Sequence, residues 1–124
     1  MAKILIADDS ASIRILLKDI LSMGEHEIVG EAVDGEDAIE KFTKLKPNVL
    51  LLDIAMPKKN GLEVLKELYP NNSKMKVIVI TANGTNQVFQ ECMKFGALGY
   101  IDKPFDIKEV LDQIAEVTNL LTVK

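Results

Sequence analysis

A short apolar run that ends in a carboxylate, Val49–Asp53, places the strongest constraint on how this chain can fold. Four apolar residues precede the aspartate without interruption, a pattern typical of a strand buried on both faces of a parallel sheet. A second such run, Ile4–Ala7, leads into Asp8 and Asp9. Ligands bind beyond the carboxyl ends of strands in open α/β sheets. If the two strands are neighbours, three carboxylates meet at one edge of the sheet.

The length and composition bound the class of protein. A chain of 124 residues fits one domain, so we treat residues 1–124 as a single domain. With 48% hydrophobic and 27% charged residues, a disordered chain or a coiled coil is excluded. A net charge of −4 disfavours direct binding to nucleic acid. We expect a cytoplasmic protein, because the sequence shows neither a membrane span nor a signal peptide and has one cysteine, Cys92. We also expect a monomer.

The other apolar patterns alternate between short strands and amphipathic helices. The patterns predict strands at 3–7, 27–33, 49–53, 77–80 and 98–101, and helices around 12–21, 38–45, 62–68, 86–95 and 107–117. Ser10 or Ser12 can cap the first helix, and Asp106 with Glu109 resembles a capping box before the last.

Strands that alternate with helices indicate an α/β fold, a doubly wound five-stranded parallel sheet with five helices covering both faces. For a chain this short we predict the flavodoxin-like strand order 2-1-3-4-5, in which the chain reverses between strands 1 and 3. The fourth strand then ends at Thr81, and the fifth leads to Lys103. A hydroxyl and an ammonium group would therefore join the three carboxylates at one edge.

The clustered carboxylates Asp8, Asp9 and Asp53 indicate a cation site, because like charges that lie together repel one another. Oxygen ligands alone suit Mg²⁺, and the absence of His or Cys from these motifs disfavours zinc. Each residue also has a structural explanation: the acidic pair can form a turn or a cap, and Asp53 can simply end a strand. His26 lies far from the motifs in sequence and is read as structural.

These motifs, taken together, resemble the receiver domain of two-component response regulators. The resemblance covers the whole chain in order and spacing, and is carried by Asp8-Asp9, Asp53 with Met56-Pro57 and Gly61, Thr81-Ala82, and Lys103-Pro104-Phe105. It implies a stand-alone response regulator, similar to the chemotaxis proteins that bind a flagellar motor switch. It also implies a cis peptide bond between Lys103 and Pro104.

The resemblance implies a role for each residue at the predicted edge. Asp53 would accept a phosphoryl group from the phosphohistidine of a histidine kinase. The protein would thus be a signalling phosphoacceptor, not an enzyme with a separate substrate, although it would catalyse its own phosphorylation and dephosphorylation. Mg²⁺ would be held by Asp9, Asp53 and the backbone carbonyl of Ala55, with Asp8 binding through water. Lys103 would neutralise phosphate charge.

The resemblance also implies a switch between Thr81 and Tyr100. Thr81 would donate its hydroxyl to the phosphoryl group, and the Tyr100 ring would change rotamer. We expect the ring to face away from the carboxylates, toward the surface between the fourth and fifth helices. Its movement would reshape the face formed by the fourth helix, fifth strand and fifth helix, where a downstream protein would bind. Ala55 and Asn83 occupy the positions at which family members tune the lifetime of the phosphorylated state.

Three alternative functions remain open at this stage. Within the same family, the protein could be a phosphorelay intermediate that passes its phosphoryl group to a histidine phosphotransfer protein. A phosphotransferase of the haloacid dehalogenase type also uses an aspartate after a buried strand, but requires a second one where Ala55 stands. A flavodoxin-like cofactor binder requires a phosphate-cradling loop after the first strand, where Asp8 and Asp9 would repel phosphate.

Overall fold

The computed structural model describes residues 2–82 and 84–119. These residues form alternating strands and helices with one short 3₁₀ turn. In chain order the elements are β1 (Lys3–Ala7), α1 (Ala11–Met23), β2 (Glu27–Ala32), α2 (Gly35–Leu45), β3 (Val49–Asp53), α3 (Gly61–Leu68), the 3₁₀ turn (Tyr69–Asn71), β4 (Val77–Thr81), α4 (Asn86–Lys94), β5 (Ala97–Asp102) and α5 (Ile107–Asn119).

The strands form one parallel sheet in the order β2-β1-β3-β4-β5, which confirms the predicted fold class and strand order. The central strand β3 is buried along its entire length. The register pairs Ala7 with Leu52, Asp53 with Ile80, and Thr81 with Asp102. The carboxyl ends of four neighbouring strands are therefore level with one another, and we call this edge of the sheet the carboxyl edge.

Alternating side chains of the sheet enter two apolar cores, one on each face. Leu50 and Leu52 of β3 pack with α2, α3 and α4, whereas Val49 and Leu51 pack with α1 and α5. Burial of both faces explains why the sequences of the three central strands, β1, β3 and β4, are nearly unbroken apolar runs instead of alternating patterns. The two cores hold the strands rigidly, so the loops at the carboxyl edge start from fixed positions.

Polar side chains begin each helix. Ser10 caps α1 by accepting a hydrogen bond from the Ile13 amide (3.3 Å). Asp34 likewise accepts from the Asp37 amide (2.8 Å). This cap starts α2 at Gly35, three residues before its first predicted apolar position, because a side-chain acceptor satisfies the free amides of the first turn.

The last three helices are capped in the same way. Asn60 and Glu63 form a reciprocal capping box at α3, and Thr85 caps α4. At α5 the Asp106 carboxylate accepts a hydrogen bond from the Glu109 amide (2.7 Å), which is one half of the predicted capping box.

His26 lies at the opposite edge of the sheet from the predicted site. Its Nδ1 accepts a hydrogen bond from the Ala2 amide (3.1 Å), and partial burial lowers the pKa of the imidazole. This structural role agrees with the reading of the residue from sequence. Among the helices in the described ranges, none has the length and apolar character needed to cross a membrane.

Candidate functional site

Three carboxylates meet at the carboxyl edge. Asp8 and Asp9 directly follow β1, and Asp53 is the last residue of the neighbouring strand β3. One carboxylate oxygen from each residue lies within 4.8 Å of those from the other two. The side chains of Asp8 and Asp53 are buried, with 3% and 5% of their surfaces exposed, whereas Asp9 is exposed. The site thus consists of two buried carboxylates and a third carboxylate that is exposed to solvent.

The ammonium group of Lys103 lies against the two buried acids. Its Nζ is 3.0 Å from Asp8 Oδ2 and 3.6 Å from Asp53 Oδ1. The lysine follows β5, and its backbone amide donates a hydrogen bond to the Thr81 carbonyl (2.9 Å), which ties its loop to the end of β4. The peptide bond between Lys103 and Pro104 is cis, as the family resemblance implied. One ammonium group therefore faces a cluster of three carboxylates.

The pKa of Asp53 is raised above its ordinary value. Burial is the largest cause, and the negative charge of Asp8 adds to it. Lys103 and a hydrogen bond from the Ala55 amide (3.4 Å to Oδ1) act in the opposite direction but do not cancel it. This excess of negative charge favours a bound cation. Because the available ligand atoms are all oxygens, the site fits a hard divalent cation such as Mg²⁺.

The loop after β3 is fixed by its contact with the start of α2. The Gly35 amide donates to the Pro57 carbonyl (3.3 Å), and the Lys58 ammonium lies 3.7 Å from the Asp34 carboxylate. Gly35 is required here, because a Cβ atom on that residue would overlap the backbone of Lys59. The contact holds the loop at Pro57 and Lys58, and Ala55 lies exposed between this point and Asp53.

The Tyr100 ring lies against α4, edge-on to Phe89 with the centroids 5.1 Å apart. The hydroxyl, however, is buried and has no polar partner among the residues that the structure describes. A Cβ atom on Gly84 would overlap this hydroxyl and approach Thr81 Cγ2 to 3.1 Å. The ring thus points inward, because the glycine leaves room for it next to the buried Thr81.

The sequence predicted a role for Asn83 and did not indicate one for Arg14. Asn83, which we expected to influence the lifetime of a phosphorylated state, lies outside the described residues. Arg14 was missed, although its side chain donates to the Asp8 carbonyl (2.7 Å) and to Glu31 Oε1 (2.9 Å). The available signal was a basic residue near the start of a helix, where a positive charge opposes the helix dipole.

Comparison with known proteins shows the family to which this chain belongs. Residues 4–115 match the family described as response regulator receiver domain. The chain is therefore a receiver domain of the response regulators, a family of signalling phosphoacceptors. This membership removes the haloacid dehalogenase and flavodoxin-like cofactor-binding alternatives.

Individual relatives cover almost the whole chain. The chemotaxis protein CheY of Thermotoga maritima is 38% identical over 116 residues, covering 94% of this chain and 97% of the relative. Sporulation initiation phosphotransferase F of Bacillus subtilis is 38% identical over 112 residues and covers 90% of both chains. A solved CheX-CheY-BeF₃-Mg²⁺ complex from Borrelia burgdorferi gives a TM-score of 0.89 at 31% identity, covering 98% of this chain and 90% of that one.

We predict that Asp53→Asn stabilises the metal-free protein at neutral pH by about 1–3 kcal/mol, because it removes a poorly compensated buried charge. A raised pKa means that folding favours the protonated acid. The cost of the charge therefore appears as the pH rises through the raised pKa, and the gain from the substitution should shrink at acidic pH. Urea unfolding with a chelator present, at neutral and acidic pH, measures both effects.

The matched control for this prediction is Asp9→Asn, which removes an exposed carboxylate from the same cluster and should have a smaller effect. A metal-free Asp53→Asn protein that is less stable than the parent at neutral pH would show that burial of the Asp53 charge is not the dominant cost.

Proposed function

We propose that Asp53 accepts a phosphoryl group from the phosphohistidine of a histidine kinase, and that residues 1–124 form a single receiver domain. The observation that carries this proposal is a buried carboxylate of raised pKa at the end of the central strand, 3.6 Å from the Lys103 ammonium. An oxygen of ionised Asp53 attacks phosphorus as the bond to the imidazole nitrogen breaks. The products are an acyl phosphate on Asp53 and a histidine that takes a proton from solvent.

In this proposal Asp9, Asp53 and the backbone carbonyl of Ala55 hold Mg²⁺, and Asp8 contributes through water. The cluster of three carboxylates supports such a site. When bound, Mg²⁺ supplies positive charge that offsets the negative charge between the attacking carboxylate and the phosphoryl oxygens. Lys103 contributes a second positive charge to the phosphoryl oxygens, and the domain thereby promotes its own phosphorylation and dephosphorylation.

We further propose that phosphorylation changes the surface formed by α4, β5 and α5, to which a downstream protein binds. Similarity to chemotaxis proteins over 94% of the chain favours a target in motility, such as a flagellar motor switch protein. The resemblance to sporulation initiation phosphotransferase F supports the second candidate, a phosphorelay intermediate that passes the group to a histidine phosphotransfer protein. Pull-down with and without a phosphoryl mimic, followed by identification of proteins bound only to the activated form, distinguishes the two.

The acceptor is tested by labelling. Incubation with acetyl phosphate and Mg²⁺ should add one phosphoryl group per chain, measured by intact mass, and Asp53→Asn should abolish the addition because an amide is not a comparable nucleophile. Asp102→Asn is the matched control, since Asp102 is an exposed acid at the end of β5 on the same edge. Full labelling of the Asp53→Asn protein would refute the assignment.

The metal is tested by thermal unfolding. A ligand that binds only the folded state stabilises it by mass action, by about 2.7 kcal/mol when its concentration is 100 times its Kd. Mg²⁺ should therefore raise the Tm of the parent protein, and Asp9→Ala should lose most of the increase. Asp19→Ala removes an exposed acid on α1 and should keep it. An unchanged Tm of the parent at millimolar Mg²⁺ would count against the site.

The switch is tested at Thr81. The Tyr100 ring already lies inward, so we propose that phosphorylation raises the population of this arrangement instead of creating it. Thr81→Ala should still accept phosphate but couple it poorly to partner binding, whereas Thr81→Ser keeps a hydroxyl and should retain most coupling. NMR shifts of Tyr100 and α4, recorded with and without beryllofluoride, measure the effect. Shifts confined to the three carboxylates would exclude this route.

A further inference from the structure

Arg14 connects the acidic loop after β1 to the neighbouring strand β2. Its side chain is only 15% exposed. From this position Nη1 donates to the backbone carbonyl of Asp8 (2.7 Å), and Nε donates to Glu31 Oε1 (2.9 Å). A guanidinium group presents its donors in a rigid fork, so one side chain can hold a carbonyl and a carboxylate at once. The guanidinium group is thus held by one hydrogen bond to the loop after β1 and by another to strand β2.

The carbonyl that Arg14 holds belongs to the peptide that leads into Asp9. A peptide unit is planar, so restraining the Asp8 oxygen also restrains the Asp9 nitrogen and Cα, the atom from which the Asp9 side chain leaves the backbone. Asp8 itself is held independently, because its amide donates to the Ala32 carbonyl (3.1 Å) and its carboxylate contacts the Ser10 amide and Lys103. The exposed Asp9 is the acid that depends most on the orientation of this peptide.

The positive charge of Arg14 is opposed by two features of its surroundings. Arg14 is a cation near the N-terminus of α1 and beside the acidic loop, so its charge opposes both the helix dipole and a bound metal ion. Glu31 offsets that charge, and its carboxylate is itself held by Lys18 (2.8 Å). Hydrogen bonds from Lys18 and Arg14 lower the pKa of Glu31, which keeps it ionised as the partner of the guanidinium. Because Glu31 offsets the charge of Arg14, the guanidinium group supplies rigid hydrogen-bond donors while the Arg14–Glu31 pair carries little net charge.

We propose that Arg14, held by Glu31, is a positioning residue for the metal site, because it fixes the Asp8–Asp9 peptide and so directs the Asp9 carboxylate toward Asp8 and Asp53. This inference rests on the proposed Mg²⁺ site. Its consequence is that the affinity for Mg²⁺ depends on a side chain that does not bind the ion. Partners that orient metal ligands contribute to affinity in this way.

Positioning and simple charge effects predict changes of opposite sign. If Arg14 acted only through its charge, Arg14→Gln would remove a cation near a cation site and would tighten Mg²⁺ binding. If Arg14 acts by positioning, the same substitution frees the Asp8–Asp9 peptide and weakens binding. We expect the Kd for Mg²⁺ to rise about tenfold, the lower end of the range for loss of a partner that orients a ligand.

The experiment is a calorimetric titration of the full chain with Mg²⁺, at a temperature well below the Tm of every variant. Lys18→Gln is the matched control, because it also removes a cation from Glu31 but makes no contact with Asp8 in the described structure. Lys18→Gln should leave the Kd within about twofold of the parent, whereas Arg14→Gln should raise it. A purely structural role would lower the Tm of the metal-free protein and leave the Kd of the folded protein unchanged.

Arg14→Lys keeps the positive charge but replaces the fork by a single ammonium, which cannot reach both partners in the same geometry. It should also raise the Kd, and it decides the matter if circular dichroism shows that Arg14→Gln does not fold. A Kd that is unchanged or lowered in the folded Arg14 variants, while the parent binds Mg²⁺, would overturn this inference alone. A parent that binds no Mg²⁺ would overturn the proposed metal site and this inference together.

Discussion

Repulsion between carboxylates that the sheet forces together is the constraint on which this site depends. Parallel pairing of β1 with β3 puts Asp8 beside Asp53, and neither strand can shift because both of its faces are packed in apolar cores. The Lys103 ammonium lies within 4 Å of both acids but carries only one positive charge. The fold thus maintains an electrostatic cost that the charge of a bound cation would relieve.

Strand register explains why distant segments contribute to a single site. The residues at the ends of β1, β3, β4 and β5 lie at one level because the strands pair in register, with Thr81 opposite Asp102. The loops that follow are then tied to one another: the Lys103 amide bonds the Thr81 carbonyl, and the loop after β3 contacts the turn at Gly35. Side chains separated by up to 95 positions in sequence therefore meet with defined geometry.

The parts of this structure that could be predicted from sequence are those that follow from local pattern. Unbroken apolar runs predicted the buried strands. The polar residues that follow the strands, Asp8, Asp9, Asp53 and Lys103, predicted the site at the carboxyl edge. The position of Arg14 near a helix start was a local signal, but its contact with Glu31 could not be predicted in this way, because only tertiary packing brings β2 near. The buried position of the Tyr100 hydroxyl could not be predicted either, since it depends on the space that Gly84 leaves beside Thr81.

The electrostatics of the site also determine how its proposed ligands influence one another. A bound divalent cation lowers the repulsion around Asp53, and a phosphoryl group adds roughly 1.5 to 2 negative charges at the same place. Because these opposite charges attract, the cation should favour phosphorylation, and by reciprocity phosphorylation should strengthen the binding of the cation. Arg14 would affect this coupling only by orienting Asp9, since Glu31 offsets the charge of the guanidinium group. The charge state of the carboxyl edge would thus control the switch, while the strands and the Arg14 contact fix the geometry in which those charges act.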